Sequence, residues 1–345
     1  MKIAVLAGGL SPEREVSLTS GSLIANALAA EGHKVVLVDV YLGKELPEGE
    51  SVASLFSSDV TYSHTVSEVE PDLDALMRES GNGSALVGKN VIDICRAADV
   101  AFLALHGASG ENGQIQATLD SYGILYTGSG YIGSLLAMDK DLSKTVLLSA
   151  GILTPKGITV NTDHIDVPLI EHTVGYPAVV KPCSCGSSVG ISMANNREEL
   201  TNALLLAAKY ESRILVEQRI IGREFTMAVI GGTPYPPVEI IPKSGFYDYK
   251  NKYQAGRTEE ICPAEISAED LNRMGRASLA AFEALRLRDY ARFDFIRDEN
   301  GEFWCLEANT LPGMTPTSLL PQEAAAAGID YRTLCDKLAR MALEH

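Results

Sequence analysis

The stretch Tyr290-Ala291-Arg292-Phe293-Asp294-Phe295-Ile296-Arg297 is followed, after the turn Asp298-Glu299-Asn300-Gly301, by Glu302-Phe303-Trp304-Cys305-Leu306-Glu307-Ala308-Asn309. Two apolar-rich runs around a short polar turn predict a strand from Asp289 to Arg297 paired with one from Glu302 to Ala308. Side chains alternate across a strand, so Arg292 and Asp294 share a face, as do Glu307 and Asn309. Two carboxylates and an amide oxygen form a hard-ligand set suited to Mg²⁺, which keeps several waters and bridges to substrate phosphates. Arg292 beside them is placed to stabilise an anionic transition state. A surface cluster of salt bridges is the plain alternative.

Outward from this pair, Lys181-Pro182-Cys183-Ser184-Cys185-Gly186-Ser187-Ser188-Val189-Gly190 puts a strand-end lysine before a small, Gly- and Ser-rich loop. Such a loop can turn successive N–H groups and hydroxyls toward phosphate oxygens while the ammonium offsets their charge. A plain surface turn explains the composition equally well. Cys183 and Cys185 do not announce a zinc site, because a tetrahedral thiolate site needs about four ligands and the other cysteines show no paired spacing. Further strands are expected from Ala178 to Lys181, Gly190 to Ala194, Ile214 to Arg219 and Glu224 to Ile230, giving the second half an α+β character.

The first half alternates strands with helix-like segments and reads as a parallel α/β unit. Its strands are expected at Ile3–Ala7, Val35–Tyr41, Val100–Leu105 and Ile124–Thr127, with helices near Glu15–Ala30 and Ile115–Tyr122 and another reaching Ala150. Gly151 to Pro155 marks a break. Gly128-Ser129-Gly130-Tyr131-Ile132-Gly133 is a literal match to a dinucleotide fingerprint, but the ribose-binding acid expected about 20 residues on is missing between Leu148 and Pro155.

Composition sets outer bounds. The 345 residues are 46% hydrophobic and 21% charged, which suits two or three globular domains. A net charge of −16 argues against a sequence-independent nucleic-acid surface, although local lysines can still hold one nucleotide. Much of the acidity falls between Gly43 and Glu79, which reads as a solvated insertion. No segment approaches the roughly 20 apolar residues of a membrane span. Six scattered cysteines make no disulfide framework, so a reducing cytoplasm is expected.

Five blocks occur in an order that resembles the D-alanine:D-alanine ligase family. They are Gly8-Gly9-Leu10-Ser11-Pro12-Glu13-Arg14-Glu15-Val16-Ser17, His106-Gly107-Ala108-Ser109-Gly110-Glu111-Asn112-Gly113, Met138-Asp139-Lys140, the Lys181 to Gly190 loop, and Arg292-Phe293-Asp294 continuing to Glu307-Ala308-Asn309-Thr310-Leu311-Pro312-Gly313-Met314-Thr315. The resemblance runs from residue 3 to about 330.

What it implies is a three-domain ATP-grasp fold: a Rossmann-like α/β substrate domain at 1–138 with an acidic insertion at about 43–79, a central subdomain at 139–220, and a C-terminal subdomain at 221–345 carrying metal site and lid. It implies ATP as co-substrate with Mg²⁺, two ions, for which Mn²⁺ substitutes. D-alanine is the amino-acid substrate, and the implied assembly is a cytoplasmic homodimer working in peptidoglycan precursor synthesis. By the same analogy Lys140, Lys181 and Lys252 contact phosphates, Glu217 and the backbone near Ile220 contact adenine, and Glu224 binds ribose. Glu13 takes the ammonium of the first D-alanine, His106 lies beside its carboxylate, and Ser318 and Leu319 bind the carboxylate of the second. Asp294, Glu307 and Asn309 hold metal, Arg292 and the Gly313 N–H hold the oxyanion, and Ser187, Tyr253 and Glu13 tie loop, lid (246 to 256) and first substrate together. Asn112 departs from the Asp usual there. Sister ligases that take D-serine or D-lactate as acceptor, and a nucleotide-binding regulator without catalysis, are the competing readings.

Overall fold

The structure is a computed structural model that describes residues 1–65, 71–186, 189–243 and 258–345. Strands β1 (Lys2–Ala7), β2 (Lys34–Asp39) and β3 (Val100–Leu103) form a parallel sheet in the order β2-β1-β3. Every residue of β1 from Ile3 to Ala7 is buried, as expected of a strand covered on both faces. The helix Arg14–Ala30 crosses back over this sheet, and Gly21 is where it touches. A Cβ there would come within 2.6 Å of the Ala7 Cβ, so only glycine permits this approach. Ile124–Thr127 does not become a full strand. It makes one parallel bridge, Ala101 to Tyr126, before Gly128 turns the chain away at φ +88°.

The described part of the acidic insertion folds back on the same helix. Asn26 Nδ2 donates to the Tyr62 carbonyl and Asn26 Oδ1 accepts from the Tyr62 N–H, both at 2.8 Å. His64 Nε2 lies 2.7 Å from Glu15 Oε2.

An expected long helix reaching Ala150 is instead two, Tyr131–Met138 and Lys140–Ser149, because Asp139 adopts an extended conformation and caps the second. Beyond it, β4 (Gly157–Asn161), β5 (Ala178–Pro182), β6 (Ser192–Ala194) and β7 (Arg213–Gln218) make an antiparallel sheet in the order β4-β7-β5-β6. The third sheet holds β8 (Gly222–Ile230), β9 (Thr233–Pro234), β10 (Val238–Pro242), β11 (Thr258–Ile261), β12 (Tyr290–Asp298) and β13 (Phe303–Asn309). Its order is β11-β10-β8-β12-β13, with β9 also on β8.

One irregularity in that sheet positions the site. Opposite β12, β13 pairs Phe303 with Arg297, Trp304 with Ile296 and Cys305 with Phe295, then skips Leu306 and pairs Glu307 with Asp294. Phe303 and Cys305 face the core, and a strand of unbroken period two would carry Glu307 into the core after them. The extra residue of the bulge reverses the alternation, so Glu307 and Asn309 stand on the open face beside Asp294 and Arg292 while Ala308 takes the core position.

Candidate active site

Two turns of the first half aim polar groups at one cavity. At Ser11 the chain turns into its first helix. There the Ser11 hydroxyl accepts from the Glu13 N–H at 3.1 Å, leaving the Glu13 carboxylate without a capping duty. Facing it, Gly107 adopts φ +82°, and a Cβ there would lie 2.3 Å from Ser11 Oγ and 3.0 Å from Glu13 Oε2. Only glycine lets the His106 turn and the Glu13 turn close on each other. His106 is buried, and its Nδ1 lies 3.2 Å from the Leu311 carbonyl. A carbonyl can only accept, so Nδ1 carries the proton and Nε2 accepts from Ser20 Oγ at 3.4 Å. Burial pushes the His106 pKa down against the opposing pull of Glu13, and the ring is neutral.

The second sheet supplies the cations. Lys181 at the end of β5 and Lys144 on the Lys140–Ser149 helix both reach the buried Glu217 carboxylate on β7, Lys144 at 2.6 Å. Lys144 also donates to Thr154 Oγ1 at 3.0 Å and to the Pro155 carbonyl. Burial alone would lower the Lys181 pKa, but the adjoining Glu217 carboxylate outweighs it and holds the ammonium above the ordinary lysine range. Two lysines hold Glu217 below the usual carboxylate range despite its burial. Lys140 donates from its backbone to the Cys183 carbonyl at 2.9 Å and from Nζ to the Cys185 carbonyl at 2.7 Å, fastening its helix to the Gly- and Ser-rich loop. In the same loop Ser184 bonds to Glu211 through both N–H and hydroxyl. Gly186 comes close enough to the first-half turn that a Cβ on it would lie 3.5 Å from Glu13 Oε2.

On the third sheet Arg292 grips Asp294 with two parallel bonds of 2.9 Å. Thr226 Oγ1 on β8 donates to Asp294 Oδ1 at 2.9 Å and Asn309 Nδ2 donates to Oδ2 at 3.1 Å. Lys140 Nζ lies 3.8 Å from Glu307 Oε2. Among the described residues no three His, Cys, Asp or Glu side chains gather as a metal-binding group, and the expected set holds only two such residues, its third member being the amide of Asn309. Carboxylate and amide oxygens on cross-strand pairs suit a hard, water-retaining cation.

A cavity of about 350 Å³ joins these parts, with Glu13, His106, Lys140, Arg292, Glu307 and Asn309 on its walls and Gly313, Ser318 and Leu319 at one end. Asp294, Lys181 and Glu217 lie behind that surface rather than on it. Ser318 opens the Leu319–Ala326 helix with no capping bond of its own side chain, and its hydroxyl accepts from the Thr315 N–H at 3.1 Å. The cap residue's own side chain does not occupy the N–H groups of this helix start, a setting that suits an anion. Ile220 lies on the link between β7 and β8, and Glu224 stands half-buried on β8, on the same strand face as Thr226. Ser187, Lys252, Tyr253 and the lid at 246 to 256 fall outside the described residues. The Gly128 turn does not serve a pyrophosphate, since its N–H donates to Asp289 Oδ2 at 2.9 Å.

A family model described as D-ala D-ala ligase N-terminus matches residues 2–129, and one described as D-ala D-ala ligase C-terminus matches residues 149–340. The chain belongs to the D-alanine–D-alanine ligase family. A D-alanine–D-alanine ligase of Pediococcus pentosaceus is 43% identical over 343 residues, covering 98% of this chain and 96% of that protein. Among solved structures, the D-alanine–D-alanine ligase of Bacillus anthracis complexed with ATP superposes with a TM-score of 0.77 at 30% identity, covering 100% of this chain and 98% of that one. The VanG D-Ala:D-Ser ligase of Enterococcus faecalis gives 0.78 at 28% identity, with 99% of each chain covered. The ATP-grasp fold expected from the sequence is the fold of these relatives.

Two groups carried no assigned role in the sequence reading of this ligase family member. Lys144 stands one helical turn after Lys140, a spacing that puts both on one helix face and could have revealed it. Glu111 accepts from the Gly107 N–H at 2.8 Å, and burial, with help from Glu13, pushes its carboxyl up to about 8 from an ordinary 4.5. Between those two values the folded protein keeps a proton that the unfolded chain releases, so stability falls as pH rises through this window and levels off above it. We expect the nucleotide-free wild type to lose melting temperature from pH 5 to 8 relative to Glu111→Gln, as followed by calorimetry. Parallel profiles for the two proteins would contradict the shift.

Proposed function

We propose that this chain is an ATP-dependent ligase that joins two D-alanines into D-alanyl-D-alanine through an acyl phosphate. The single observation that carries the reading is the cavity in which Glu13, Lys140, Arg292, Glu307 and the Ser318–Leu319 start of the Leu319–Ala326 helix converge. A carboxylate is a poor electrophile, and phosphorylation by ATP gives it a leaving group. Glu13 holds the ammonium of the first D-alanine, with neutral His106 beside its carboxylate. Lys140 and Lys181 offset phosphate charge, Glu217 meets the adenine with the Ile220 backbone, and Glu224 takes the ribose. Asp294, Glu307 and Asn309 hold Mg²⁺, or Mn²⁺ in its place, and the bound cation supplies charge compensation at the transferring phosphoryl group. The second D-alanine sits with its carboxylate at Ser318 and Leu319, and its amine attacks the acyl carbon. Arg292 and the Gly313 N–H hold the resulting oxyanion, a contribution of roughly 3 kcal/mol per well-placed donor.

Ser187, Lys252 and Tyr253 complete this reading from the loop and lid. The domain limits that go with it are 1–138, 139–220 and 221–345. The protein acts in the cytoplasm as a homodimer; its six cysteines are free, and among the described residues no helix is long and apolar enough to cross a membrane.

Leu319 is the apolar part of the acceptor wall, beside Thr315, Thr317 and Ser318, while Met314 is buried in the core. An apolar wall rejects an added hydroxyl only weakly, on the order of 100-fold at best, so D-serine is the closest competitor. An acidic Glu13 and a neutral Tyr253 in the sequence are the ground for expecting poor use of D-lactate. The test is phosphate release and product analysis with D-alanine, D-serine and D-lactate supplied singly and in pairs. D-alanyl-D-alanine is expected as the main product across pH 6 to 9, and Glu307→Gln is expected to abolish it while keeping the wild-type melting temperature. Depsipeptide as the main product near neutrality, or near-normal turnover in Glu307→Gln, would overturn the assignment.

A further inference from the structure

Glu323 has no part in the reaction outlined above, yet it is fully buried beside the strands that carry it. In a β-strand the N–H and C=O of one residue point the same way, and Ala228 on β8 turns both toward β9 and β10. Its carbonyl accepts from the Tyr235 N–H at 2.8 Å. The ladder then lapses, because the chain passes from β9 to β10 through Tyr235-Pro236-Pro237 and pairing with β8 resumes only at Val238 opposite Thr226. Glu323 Oε2 takes the Ala228 N–H in place of a strand carbonyl, while Oε1 has no partner among the described residues. Burial pushes the carboxyl well above the usual carboxylate range, which keeps it neutral.

Two connections give this bond consequences. Ala228 lies directly opposite Arg292 in the β8–β12 register. Glu323 stands on the Leu319–Ala326 helix, one turn after Leu319, whose side chain packs with Val238 and Ile240 of β10. A second tie holds the same helix, from Gln322 Nε2 to Glu260 Oε2 on β11 at 2.6 Å. We propose that Glu323 is a positioning residue for the acceptor amino acid: by bonding the Ala228 N–H it fixes the start of the Leu319–Ala326 helix relative to Arg292. The inference rests on the reading of Ser318 and Leu319 as the acceptor end. An apolar residue of similar size would fill the space yet leave a buried N–H without a partner, and relief of that cost shifts the helix.

The test compares wild type, Glu323→Gln and Glu323→Leu in initial-rate assays that resolve the two D-alanine constants. Glu323→Leu is expected to raise the acceptor KM about tenfold, with the donor KM, the ATP KM and kcat changed less than about twofold. Glu323→Gln, whose amide oxygen can still accept, is expected to restore the acceptor KM. An unchanged acceptor KM, an equal loss in every constant, or a Gln variant no better than Leu would overturn the proposal. Hydrogen exchange of the Ala228 amide in the wild type reads the same bond without a variant: protection is expected to rise when D-alanine fills the acceptor site, and constant protection contradicts it. Failure of the wild type to make any dipeptide would instead refute the ligase reading itself.

Discussion

One extra residue in one strand governs where the chemistry sits. Leu306 interrupts the β12–β13 ladder, and from that point Glu307 and Asn309 face outward beside Asp294 and Arg292. Were the alternation unbroken from Phe303 and Cys305, two polar side chains would point into a core built of Phe293, Phe295 and Ala291. Burying an unpaired carboxylate there would cost several kcal/mol, and the site would have no floor. Bulges at such places re-aim side chains at modest backbone cost.

Around that floor charge is balanced in pairs. Arg292 covers both oxygens of Asp294, while Lys144 and Lys181 share Glu217 behind the cavity wall. Desolvated charges of one sign would be unstable, and each of these is held by a partner of the other sign. Lys144 is fully engaged with Thr154, Pro155 and Glu217 and fixes that carboxylate together with Lys181. Gly107 does the complementary steric work, because a side chain there would collide with Ser11 and crowd Glu13, whereas a Cβ at Gly186 would only touch Glu13.

Much of this was legible in the sequence because it depends on short-range rules. Apolar runs bounded by turns located β1, β5, β7, β8, β12 and β13 to within a residue or two, and the first helix was expected near Glu15–Ala30 against an observed Arg14–Ala30. Ordered motifs supplied the family, which spacing alone could not. What escaped depends on tertiary context. Ile124–Thr127 has strand character but too little ladder to pair with, and Asp139 splits a helix by capping its second half. The bulge at Leu306 cannot be seen in a strand that looks uniform, although Glu307 and Asn309 on one face were correctly read. Lys144 and Glu323 resemble ordinary helix-surface residues until the fold buries them.

In the proposed reaction ATP activates a D-alanine carboxylate in this cavity as an acyl phosphate before the second amine attacks. In that sequence a carboxylate oxygen of the first D-alanine bonds to the γ-phosphorus and leaves with the phosphate when the amide forms. Turnover of D-alanine labelled with ¹⁸O in its carboxylate, with the released phosphate examined by ³¹P NMR or mass spectrometry, follows that oxygen directly. One ¹⁸O atom in each phosphate released is the predicted result, and phosphate that carries none would contradict the account.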